Sequence, residues 1–142
     1  MRTFRSILTA LACTSAIALA SPTLAAMVNF KADLKGAEEV PPVTGPGKGS
    51  LTASYDTDSK RLAWKGDYSG LSGPVTAAHF HGPAEAGKNA GVAVPITPNT
   101  SPFEGSATLT DAQASDLMAG RWYVNIHTDA HKAGEIRGQM TK

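Results

Sequence analysis

The sequence predicts an all-β domain: an antiparallel, Greek-key-like β-sandwich of about eight strands, with one short helix near residues 111–119. Three observations carry that expectation. Short runs alternate apolar and polar residues with a period of two. Turn-forming clusters of Gly, Pro, Asp, Asn and Ser recur at the short spacing of a sandwich or barrel. Only one stretch has helix signals at both ends.

The elements follow in order. V-N-F-K-A-D-L puts Val28, Phe30, Ala32 and Leu34 on one face and Asn29, Lys31 and Asp33 on the other, a strand with one buried side. The prolines of P-P-V-T-G-P-G-K-G, residues 41–49, deny ladder hydrogen bonds and mark an irregular loop. L-T-A-S-Y and R-L-A-W-K-G-D-Y flank the turn D-T-D-S-K and read as a hairpin, with Leu51, Ala53, Tyr55, Leu62, Trp64 and Tyr68 facing inward. P-V-T-A-A-H-F-H is the next strand, bounded by Gly73-Pro74 and Gly82-Pro83. G-V-A-V-P-I and F-E-G-S-A-T-L follow, with a loop between them. In T-D-A-Q-A-S-D-L-M-A-G, Thr110 and Gln113 have the spacing of a capping box, Asp111 suits the first turn, and Gly120 suits the end. R-W-Y-V-N-I-H-T and G-E-I-R-G-Q-M close the chain as a pair.

The first residues are set apart. Arg2 and Arg5 precede an uncharged apolar run that ends in S-P-T-L-A-A, the pattern of a secretory signal peptide over residues 1–26. The run is short for a membrane anchor of about 20 apolar residues. The single cysteine, Cys13, lies inside it, and Ala10 stands where a lipoprotein signal places leucine. The expected mature domain, residues 27–142, has no thiol and rests on its core or on a core plus a bound ion. It is expected in the periplasm or outside the cell, with no membrane contact in its mature form. The formal charge of +1 falls by two with the loss of Arg2 and Arg5, and no basic patch remains, which argues against a nucleic-acid partner.

Four segments in order, E-E-V-P-P, A-A-H-F-H-G-P-A, Y-V-N-I-H-T and G-E-I-R-G-Q, resemble the CHRD domain, the module named for its occurrence in chordin. The resemblance runs from about Phe30 to Met140. It implies a β-sandwich and a bacterial single-domain secreted or periplasmic protein. The family's biochemical role is poorly defined, so the chemistry is read from the residues.

The chain has four histidines, and two of them, His79 and His81, are separated only by Phe80. On a strand, i and i+2 share a face about 6.5–7 Å apart. Two such imidazoles can close on one metal ion, although an isolated H-x-H is as readily a pair of solvated residues. His127 lies on the polar side of Y-V-N-I-H-T, with Tyr123 and Asn125, opposite a core side of Trp122, Val124 and Ile126. Three imidazoles, with a water or with His131 or Glu135 as a fourth ligand, match a copper or zinc site. Asn125 is the candidate to fix a histidine tautomer. Arg137 is expected to pair with Glu135, Glu38 or Glu39 in an ion-paired clasp.

Three readings remain open: a copper- or zinc-binding module, a copper enzyme similar in plan to superoxide dismutases, and a metal-free module that binds another secreted or surface protein through loops 41–49 and 95–104. No catalytic residue is assigned. There is no nucleophile elbow and no phosphate-cradling loop. Export should remove the first segment after Ala25 or Ala26. The intact mass of the exported protein checks this, and a mass that retains the first residues, or a lipid on Cys13, contradicts it.

Overall fold

The computed structural model describes residues 26–142; the segment read as a signal peptide lies, apart from Ala26, outside the described residues. Eight strands form: β1 Met27–Lys35, β2 Lys48–Asp56, β3 Arg61–Ser69, β4 Val75–His81, β5 Val92–Pro95, β6 Phe103–Thr108, β7 Tyr123–Thr128 and β8 Ile136–Gln139. One helix, α1, spans Asp111–Met118. A single 3-10 turn, Gly36–Glu38, follows β1.

The strands run β5-β4-β7-β8-β1-β2-β3-β6 in one continuous sheet, and every pairing is antiparallel. The sheet folds over at the β8/β1 seam, where the ladder narrows to Lys35 opposite Arg137 and a bridge between Lys31 and Thr141. The fold brings Trp64 of β3 edge-on to Phe80 of β4, with centroids 5.0 Å apart, although these strands are far apart in sheet order. Two layers, β5-β4-β7-β8 and β1-β2-β3-β6, thus enclose one core. The all-β antiparallel expectation holds.

The alternating residues fill that core as their spacing demands. Phe30, Ala32, Leu34, Leu51, Ala53, Tyr55, Leu62 and Trp64 come from one layer; Phe80, Val124, Ile126 and Ile136 come from the other. Trp122 tilts against Phe80 at 5.8 Å. The helix plugs one end through Leu117. Its capping box is complete, because the Thr110 hydroxyl accepts from the Gln113 N–H and the Gln113 side chain accepts from the Thr110 N–H. Gly120 ends it with a φ of +73°, which favours glycine.

The β7–β8 pair departs from the simple pattern. Half-buried strands bury alternate residues, yet all six residues of β7 are buried. The second face is covered by residues 36–43 after β1 and by a strap, residues 82–91, between β4 and β5. Asn89 of the strap donates to the Val40 carbonyl at 3.1 Å, which ties the two covers together.

Phe80 joins the layers and its exposure is zero. Phe80→Ala should cost about 3–5 kcal/mol, read as a lowered urea midpoint. A loss under about 1 kcal/mol would mean that the two layers do not meet there.

Candidate metal centre

β4 and β7 pair side by side with His79 opposite Asn125, His81 opposite Tyr123 and Ala77 opposite His127. This register sets all three histidines on the face away from the core. Their rings gather: His79 and His127 centroids are 5.1 Å apart, His79 and His81 5.4 Å, His81 and His127 5.8 Å. One nitrogen from each ring lies within 4.8 Å of the others. The predicted neighbour relation between the H-F-H and Y-V-N-I-H strands is thus present.

Hydrogen bonds fix the tautomers. His81 Nδ1 lies 3.0 Å from the Ala90 carbonyl, and His127 Nδ1 lies 3.0 Å from the Lys132 carbonyl. A carbonyl only accepts, so both Nδ1 atoms carry the proton and both Nε2 atoms present a lone pair. His79 Nδ1 sits 3.2 Å from His127 Nε2 and donates to it when no cation is bound. Two nitrogen ligands held tetrahedrally at 2.0–2.1 Å from one ion stand about 3.3 Å apart. His81 Nε2 is buried and has no hydrogen-bond partner. Burial pushes the His79 and His81 rings below the usual imidazole range; His127 adds to this for His79. For His81 the Ala90 bond opposes the shift, while His79, His127 and Arg137 reinforce it. Neutral imidazoles are the form that ligates.

A stacked column stands beside the group. His81 lies parallel to Tyr123, with centroids 4.9 Å apart and planes 5° apart. The Arg137 guanidinium carbon is 3.4 Å from the Tyr123 centroid. Tyr123 Oη takes part twice, accepting from the Ala90 N–H at 3.1 Å and lying 3.3 Å from the Ala90 carbonyl.

Arg137 corrects the expected clasp. It is 2% exposed, yet among the described residues the ion pairs are Lys60–Asp111 and Arg121–Asp116, and neither involves Arg137. It donates instead to Asn89 Oδ1 at 2.9 Å and to the Lys88 carbonyl. The clasp closes the strap, through neutral groups and a ring face. Glu135 turns elsewhere: it accepts from the Ser72 N–H and hydroxyl and from the Thr128 hydroxyl. Burial would raise its carboxyl, but those bonds hold it below the usual carboxylate range. Glu135 thus joins the β3–β4 loop to β7. His131 occupies the turn before β8, where its N–H donates to Thr128. It is outside the group of three.

Glu39 does reach this face. It is 5% exposed, and Asn125 Nδ2 donates to its Oε2 at 3.4 Å. Burial pushes its carboxyl up to about 7, against the pull of Arg137, Asn125 and the Val40 N–H. Asn125 therefore serves the carboxyl; no hydrogen bond from it to a histidine is present, so it sets no tautomer. That role falls to the Ala90 and Lys132 carbonyls. Sequence reasoning missed both, along with Lys88 and Asn89. Backbone carbonyls in loops leave no residue-type signal; the length of the 82–91 segment between two paired strands was the available hint.

A two-layer antiparallel module with a buried polar face and a histidine triad is the class that fold and site define. The CHRD domain family's sequence profile matches residues 30–140, and the chain belongs to that family. No curated protein matches the chain, and no solved structure does.

Glu39 makes stability depend on pH with a definite sign. Its folded value lies above its unfolded value near 4.5, so the folded state holds the extra proton between 4.5 and about 7. Stability from this group is full at low pH and falls as pH rises through that window. Relative to Glu39→Gln, the wild type should lose up to about 3 kcal/mol across it. Urea midpoints of both proteins at the two ends measure this; parallel profiles would show that Glu39 titrates normally.

Proposed function

We propose that the chain is an exported, periplasmic or secreted module that holds one divalent transition-metal ion, copper or zinc, through His79, His81 and His127. The observation that carries this is His81 Nε2: a buried lone pair without a hydrogen-bond partner, aimed at a group whose ligand atoms lie within 4.8 Å of one another. Leaving such an atom unpaired costs free energy that a bound cation would recover. The carbonyls of Ala90 and Lys132 support the reading, because second partners that hold ligating imidazoles in one tautomer are what metal sites require.

Three imidazoles leave a position for water or another small ligand, the arrangement of open sites. All-nitrogen ligation favours copper over zinc among divalent ions. His79 is the half-buried member and gives the side from which an ion would enter. Arg137, behind Tyr123, is too occupied by the strap to serve as a ligand-binding arm.

Untagged protein purified from the export compartment should carry close to one copper or zinc ion per chain by elemental analysis. At 100 times its dissociation constant, an ion that binds only the folded state stabilises it by about 2.7 kcal/mol. Copper or zinc should therefore raise the melting temperature of the wild type and leave the His79→Ala, His81→Ala double variant nearly unmoved. The effect should fade as pH falls through about 6.5 and below, since protonated rings do not ligate. Equal responses of both proteins would refute the site and leave an interaction module. With metal bound, a superoxide-removal assay separates an enzyme from a carrier.

A further inference from the structure

Two buried oxygens on the histidine face have no hydrogen-bond partner: Oε1 of Glu39 and Oδ1 of Asn125. Their side chains already touch, through Asn125 Nδ2 and Glu39 Oε2. Both oxygens also crowd one point. A Cβ on Gly134 would stand 2.4 Å from Asn125 Oδ1 and 2.6 Å from Glu39 Oε1. Gly134, with a φ of +133°, is the residue type that leaves this space.

Two acceptors held together in a buried site conflict, because a carboxylate has no proton to give and an amide oxygen only accepts. Turning the amide over exchanges its ends and keeps the conflict. One proton on Glu39 Oε1 resolves it. So protonated, Oε1 would have an O–H to offer Asn125 Oδ1 while Asn125 Nδ2 donates to Glu39 Oε2, the pairing by which an acid and an amide satisfy one another.

We propose that Glu39 is the proton-exchange partner of the histidine group: it carries a proton, paired with Asn125, until a divalent cation enters at His79, His81 and His127, and then releases that proton to water. This rests on the metal-binding reading. The step balances in charge and atoms: the carboxylic acid becomes a carboxylate, one proton leaves, and one of the ion's two added charges is offset. Proximity follows from register. Asn125 is opposite His79 in the β4–β7 ladder and two residues from His127 on the same face. The groups facing Glu39 are few. Arg137 of β8 acts on it by charge; Asn125 of β7 and the Val40 N–H of its own loop act as donors. The Glu135 carboxylate is engaged by Ser72 and Thr128. Among the described residues, Glu39 is thus the buried carboxyl available to answer added positive charge beside Arg137.

Linkage makes the exchange quantitative. If ionising Glu39 tightens cation binding by some factor, the bound cation favours ionised Glu39 by the same factor, about 5- to 150-fold for a typical coupling. The test uses wild-type chain carrying 13C-labelled glutamate, with the Glu39 carboxyl carbon assigned against Glu39→Gln and followed by NMR through a pH series, without metal and with saturating zinc. Zinc affinity of both proteins is measured by calorimetry over the same series. Without metal, the Glu39 carbon should titrate near neutrality. With zinc its midpoint should fall, and wild-type affinity should gain the matching factor over Glu39→Gln as pH rises. A carboxyl already ionised at about pH 6 in the metal-free fold, or a midpoint unmoved by bound zinc, overturns the exchange while metal binding stands. If neither protein takes up zinc, or copper in the same calorimetry, the metal-binding reading fails and the exchange fails with it.

Discussion

Where β7 pairs with β4, alternate side chains leave in opposite directions, and in this domain both directions are buried. Inward go Phe80, Val124 and Ile126, which meet Trp64 and Trp122 in the core. Outward go His79, His81, Tyr123, Asn125 and His127. Burying apolar groups is favourable by itself, but burying polar groups costs unless each donor and acceptor is matched. The outward face therefore dictates its surroundings. Residues 36–43 and the 82–91 strap must lie over it and supply partners. Ala90 answers His81 and Tyr123, Lys132 answers His127, and Lys88 and Asn89 answer Arg137. The loops are part of the site because the pairing of two strands leaves them no alternative.

Charge on this face is arranged sparingly. Arg137 is a buried cation held by carbonyl and amide oxygens and by the face of Tyr123, so its charge is spread over dipoles and a ring quadrupole. Guanidinium suits this, being weakly hydrated and planar. The carboxyl that feels this charge, Glu39, is raised by burial, and His79 and His81 are lowered by burial. Desolvation moves acids and bases in opposite directions, and both shifts favour the uncharged form. A face of this kind responds strongly to one added charge, which is the physical basis of the proposed exchange between a cation at the histidines and the proton on Glu39. Glu135 shows the contrast: two hydroxyls and a backbone N–H stabilise its ionised form, and it acts as a fixed strut.

The sequence by itself determined the all-β class, the inward residues of most strands, the capped helix and the pairing of His79 with His81. Those features are local. A period of two, a capping spacing and an i, i+2 relation are set by backbone geometry within a few residues. It also placed His127 on the correct side of its strand. Only the tertiary structure decided that β4 and β7 are neighbours, and hence that the three rings meet. It alone decided that Arg137 stacks on Tyr123 and engages the strap, where charge pairing had been the expectation. It also left His131 in its turn and brought Glu39 to Asn125. Those outcomes depend on which strands become neighbours and which loops cover them. The partners that meet in this way are an imidazole and a side-chain amide each 48 residues away, a backbone carbonyl 49 residues away and a carboxyl 86 residues away, and no periodicity along the chain encodes such a distance.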